Sequence, residues 1–110
     1  MKLKVYAVYD SAAMVYDRPI CFRADGEALR VWQQLCLNPE SAVGKSPKDF
    51  SFYKIGEYDD NNGTITPLDR FCIQTAEEAI AASRVIEEGS LRSVDYDEEV
   101  ERINSAGGTA

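Results

Sequence analysis

The chain has 110 residues, 45% of them hydrophobic, 28% charged and 10% aromatic, with a formal net charge of −7. That composition fits one domain with a core of moderate size; it excludes a disordered tail, and no run approaches a membrane span. There is no histidine and there are three widely spaced cysteines, Cys21, Cys36 and Cys72, which excludes a Cys–His nucleophile and gives no paired zinc spacing.

The N-terminal stretch MKLKVYAVYD alternates polar and apolar residues and has no continuous apolar core, so it reads as a strand and not as a signal peptide. In this strand Leu3, Val5, Ala7 and Tyr9 share one face; Lys4 and Tyr6 lie on the other. A loop carrying Met14, Val15 and Tyr16 leads to an extended segment at Pro19–Phe22, where proline favours an edge or a first strand position. Ala28, Leu29, Trp32, Leu35 and Cys36 form a helical stripe over 26–37, with Asp25 as the expected cap and Asn38-Pro39 as the stop. Asn38-Pro39 and Ser46-Pro47 each suit a single helical turn.

Residues 50–58 predict a strand. Asn62-Gly63 is expected to supply two positive φ angles for a tight hairpin, and residues 64–68 return as an edge strand limited by Pro67. A short apolar run at Phe71–Ile73 precedes Thr75-Ala-Glu-Glu78, a capping box that opens a helix over about 76–88; Gly89 and Leu91 suit its ending. Tyr96, Val100 and Ile103 share a helical face within the acidic segment 95–103, and the last residues read as disordered. The expected organisation is one α+β domain over 1–91, then an acidic C-terminal segment over 92–110. The domain holds a small, mostly antiparallel sheet and two helices, and a third, acidic helix is expected in the C-terminal segment. An open-edged sheet of this size favours a homodimer.

Charge is segregated. Residues 1–56 hold eight Lys/Arg against six Asp/Glu, whereas residues 57–110 hold four against thirteen. Such asymmetry is a hint of nucleic-acid contact joined to an acidic appendage. Catalytic motifs are missing: no Gly-rich phosphate loop and no GxSxG elbow are present. Gly44-Lys45-Ser46 copies the end of a P-loop, but Pro39 stands where its first glycine belongs. A calcium loop with Gly63 at the sixth place would begin on Tyr58 and end on Asp69, with Pro67 intruding, so a hairpin turn is the better reading. The chain is read as a non-enzyme that needs no metal or cofactor.

The stretch KSPKDFSFYKIGEYDD then stands out. Strict alternation puts Phe52, Lys54 and Tyr58 on one face and Tyr53 and Ile55 on the other. If Tyr53 and Ile55 face the core, Phe52, Lys54 and Tyr58 form an exposed ring–cation–ring ladder of the kind that binds single strands by stacking. If Phe52 faces inward instead, the ladder is ordinary core beside a solvated lysine. On the first reading Lys45, Lys48 and Lys54 neutralise phosphates and Phe52 and Tyr58 stack on bases, with Lys4, Arg18 and Arg23 as weaker contributors.

The order of these pieces resembles the small non-structural protein of gokushovirus-type microviruses, icosahedral phages with circular single-stranded DNA. The residues that carry the resemblance are Val5, Tyr6, Tyr9, Asp10 and Ser11, then Pro47, Asp49, Phe50, Ile55, Gly56, Tyr58, Asp59 and Asp60; it spans about residues 2–68. The resemblance implies a DNA-binding protein of single-stranded genome synthesis or packaging, working in the bacterial host cytoplasm without a cofactor. It transfers no binding residues. The expectation is therefore a single-stranded-DNA-binding protein. The alternative is an acidic interaction module whose C-terminal segment engages a basic host or phage replication protein.

Overall fold

Short alternating strands and one strongly amphipathic helix dictate the architecture. The computed structural model describes residues 1–85, and Met1–Ile80 form one compact unit. Its strands are β1 (Lys2–Asp10), β2 (Val15–Tyr16), β3 (Ile20–Phe22), β4 (Phe50–Asp59) and β5 (Thr64–Thr75). All pairings are antiparallel. β4 lies between β1 and β5, while β2 and β3 share the other edge of β1. The expected α+β class is what the chain adopts.

β2 and β3 behave as one interrupted strand. Tyr16 pairs with Tyr9 and Ile20 with Tyr6, and between them the Asp17 N–H donates to the Val8 carbonyl at 2.8 Å. Pro19, which has no donor, falls in the break. The segment Val15–Tyr16 was expected to be loop; two residues are too short a run to show alternation in sequence.

Helix α1 (Asp25–Leu37) buries Ala28, Trp32 and Cys36, one residue per turn along a single stripe. Its N-cap is Ala24, without a side-chain cap bond, and Asp25 sits inside the first turn. The expected Asp25 cap is thus not formed, because that carboxylate is engaged across the sheet by Tyr6 and Lys54. Asn38-Pro39 stops α1 in a turn, Ser41 caps the short helix α2 (Ala42–Lys45), and Pro47–Asp49 make one 3₁₀ turn with proline at its start.

The Thr75–Glu78 capping box is formed reciprocally. The Glu78 N–H donates to Thr75 Oγ1 at 3.1 Å and the Thr75 N–H to Glu78 Oε1 at 2.8 Å. It opens helix α3, which runs over the described residues 76–85 and buries Ala76 and Ala79. The expected end of this helix near Gly89, the acidic face of Tyr96, Val100 and Ile103, and the whole segment 92–110 lie outside the described residues.

A stack of three rings sits at the centre of the core. Trp32 lies parallel to Phe52 at 5.0 Å and Phe52 parallel to Tyr6 at 5.2 Å, with Phe22 edge-on to Tyr6 at 5.8 Å. The stack lies between α1 and the sheet, with Val43, Phe50, Ile73 and Ile80 packed around it. At the far end, Asp59 and Thr64 close a four-residue loop in which only Gly63 takes a positive φ, +74°. The two-residue turn with two positive φ angles does not form. Instead Asp59 and Asn62 accept from the backbone N–H groups of Asn61 and Thr64, so the acid- and asparagine-rich run serves the turn.

Candidate functional site

The two faces of the sheet differ in kind. Register sets Lys4, Tyr6 and Val8 of β1 opposite Glu57, Lys54 and Phe52 of β4. Directly opposed residues share a face, and Tyr6 and Phe52 place this one under α1. Val5, Ala7 and Tyr9 pair with Gly56, Tyr53 and Ser51 on the other face, which α1 does not cover. Between these registers lies a β-bulge: Val5 pairs with Gly56 and Tyr6 with Lys54, leaving Ile55 extra. A Cβ on Gly56 would stand 2.8 Å from the Thr66 carbonyl oxygen, so glycine permits the close approach of β5 at the bulge.

This bulge breaks the expected ladder. Phe52 is 3% exposed, sealed within the ring stack, so it offers no stacking surface. Lys54 follows on the same side, but its ammonium lies 2.9 Å from Asp25 Oδ1. The extra residue reverses the alternation, and Tyr58 opens onto the opposite face with Ile55 and Gly56. Tyr6, expected outside, is wholly buried. Val5 and Ala7 are buried too, since β1 is the central strand. Lys4 pairs with Glu57 at 3.7 Å. Lys45, Lys48, Arg18 and Arg23 are exposed, and none of them forms an ion pair among the described residues.

The uncovered face carries two features. One is an apolar groove of about 460 Å³ lined by residues that include Val5, Ile55, Tyr58, Ile65 and Pro67. The other is a row of side chains crossing the sheet. Tyr16 of β2 lies 4.6 Å from Tyr9 of β1, and Tyr53 of β4 meets Tyr9 at 6.2 Å and Tyr16 at 5.6 Å, both edge-on. From β5, Arg70 donates to the Tyr16 hydroxyl at 3.0 Å and lies 5.7 Å from the centre of its ring. Arg70 reaches that far because β5 spends three residues, Leu68–Arg70, opposite Ile55 alone.

Sequence reasoning missed Tyr9, Tyr16, Tyr53 and Arg70 as a group. One signal was present: Phe22, Phe50 and Phe52 pack on the helix side, whereas Tyr9, Tyr16, Tyr53 and Tyr58 lie on the uncovered face. Phenylalanine suits a dry contact and tyrosine a wet one. Tyr6 breaks the pattern by giving its hydroxyl to Asp25, and Phe71 by being exposed.

Electrostatics follow the same division. Burial, then the hydrogen bond to Asp25 and that residue's charge, raise the Tyr6 phenol above its ordinary range. The Tyr6 hydroxyl and then the Lys54 ammonium hold the Asp25 carboxyl below its own. Burial pushes the Cys36 thiol up to about 12 and also raises Cys72, with the Glu78 charge adding to the latter. All three cysteines are free. Among the described residues no group of three His, Cys, Asp or Glu side chains gathers to hold a cation, and no helix is long and apolar enough to cross a membrane.

Against known proteins, the family described as "Phage ORF5 protein" matches residues 3–79. No curated protein and no solved structure matches the chain. The match takes in all five described strands but for Lys2, together with the opening of α3, and the chain belongs to that phage protein family.

Proposed function

We propose that this member of a phage protein family is a non-enzymatic single-stranded-DNA-binding protein, serving genome synthesis or packaging in a small phage of gokushovirus type within the bacterial host cytoplasm. One observation carries the reading: among the described residues, exposed cations without carboxylate partners stand near one end of a sheet that has one face covered by no described helix. Lys48 lies in the 3₁₀ turn that ends at Asp49, whose carbonyl accepts from the Ser11 N–H at 2.8 Å, one residue past β1. Arg18 follows the Asp17 rung on Val8. Cations so placed can neutralise phosphates, whereas Lys4 and Lys54 are already paired with carboxylates.

The overall charge does not oppose this. Residues 1–85 hold ten Lys/Arg against twelve Asp/Glu, net −2; the remaining −5 falls in 86–110. The described part is close to neutral, and a local patch can govern its field. The test is a titration of labelled single- and double-stranded oligonucleotides at two salt concentrations. Tighter single-strand binding that weakens with salt is expected, with a modest slope because few cations contribute. Combined Lys45→Glu and Lys48→Glu should weaken it further. Equal affinity for both forms, or no salt dependence, rejects the proposal.

The same segregation of charge favours a second role, in which the acidic C-terminal segment 92–110 engages a basic host or phage replication protein. Truncation after Gly89 separates the two: loss of the protein partner with DNA affinity retained supports that role.

A further inference from the structure

We infer that Tyr9, Tyr16, Tyr53 and Arg70 form the contact for a single-stranded polynucleotide, the tyrosine rings stacking on bases and the guanidinium taking a phosphate. The inference rests on the DNA-binding reading and gives it a place on the molecule. These side chains are rooted on β2, β1, β4 and β5, the full width of the sheet, and converge over the face: Tyr53 meets both Tyr9 and Tyr16, and Arg70 reaches back to Tyr16. Three strand spacings make that width about 14 Å. Each tyrosine is only half-buried.

Ring chemistry and charge point to the same ligand. Stacking on an aromatic side chain accepts any base, and open antiparallel sheets present aromatic residues to two or three successive bases. Tyrosine also keeps a hydroxyl for water or for the sugar–phosphate chain. Arg70 forms no ion pair among the described residues, and one contact to Tyr16 leaves most of its five N–H donors for an anion. A polyanion complements that charge; an apolar ligand does not. The neighbouring groove is lined almost wholly by apolar atoms and offers nothing to a phosphate, so the strand follows the row of rings. In a duplex the base faces are already stacked on each other, which makes this a contact for single strands.

The test uses the full chain and fluorescein-labelled oligo-dT, read by anisotropy, with far-UV circular dichroism and solution mass measured on every variant. Arg70→Ala and Tyr16→Ala are each expected to weaken binding about tenfold, the scale of one stacked base, with fold and mass unchanged. Arg70 is on the surface, so its variant carries the test should Tyr16→Ala not fold. If the parent binds and Arg70→Ala binds equally well, this site is wrong while the DNA-binding reading stands. If the parent does not bind, both fall. Variants that change the solution mass and leave affinity alone make the row a contact between copies, which overturns the inference.

Discussion

The face of the sheet under α1 and the face away from it are built from the same residue classes but put them to opposite uses. On the covered side, aromatic rings lie parallel and in series, Trp32 on Phe52 on Tyr6, and Lys54 and Lys4 are tied to Asp25 and Glu57. On the uncovered side the rings meet tilted or edge-on, remain half-buried, and are joined by a cation with no carboxylate partner among the described residues. Aromatic residues beside a lysine in sequence are therefore ambiguous. The side of the sheet decides between core and contact surface, and here one extra residue, Ile55, sets the side.

The contrast can be tested by breaking each side in turn. Phe52→Ala empties the middle of the ring stack and should cost about 3–5 kcal/mol by urea denaturation, the range for large aromatic truncations. A loss under about 1 kcal/mol would mean that the stack is not the centre of the core. Gly56→Ala drives a methyl group against the Thr66 carbonyl at the bulge and should cost about 1–3 kcal/mol. The same variant should disturb the tyrosine row, seen as changed tyrosine ring shifts by NMR, because Arg70, which contacts Tyr16, stands among the three residues of β5 opposite the bulge.

Next in size is a pH effect confined to the covered side. Because the folded state holds the Asp25 carboxyl below its ordinary range, its contribution is complete above that range and disappears as pH falls through the lowered folded value. Melting temperature should drop in that acid window, and Asp25→Asn should drop less steeply there. An identical acid profile for the variant would remove Asp25 from the account. The smallest expected change is Arg70→Ala, within about 0.5 kcal/mol of the parent in stability, since Arg70 is exposed and outside the core. Large stability loss on this side would make its residues structural.

Local signals were readable in the sequence, and facing was not. The stripe of Ala28, Trp32 and Cys36 fixes α1, Pro47 starts its 3₁₀ turn, and Thr75 with Glu78 starts α3 through side-chain bonds that a spacing of three residues foretells. The direction of Phe52 and Tyr58 depends on a bulge, which leaves no period in the sequence; period-two counting runs straight through it and puts both on one face. Asp25 looked like a cap because its attraction to Tyr6 and Lys54 is non-local. The row of Tyr9, Tyr16, Tyr53 and Arg70 draws on four strands, and no linear motif joins them. Among the cationic candidates, Lys45, Lys48, Arg18 and Arg23 stay exposed, while Lys4 and Lys54 are turned to internal carboxylates.

The most direct test of the division between faces is a map of backbone and tyrosine-ring NMR shifts as oligo-dT is added to the full chain. Shifts concentrated at Tyr9, Tyr16, Tyr53 and Arg70, with the outer residues Val31 and Leu35 of α1 unmoved, are the predicted result. Shifts centred on α1, or a spectrum that oligo-dT leaves unchanged, would contradict it.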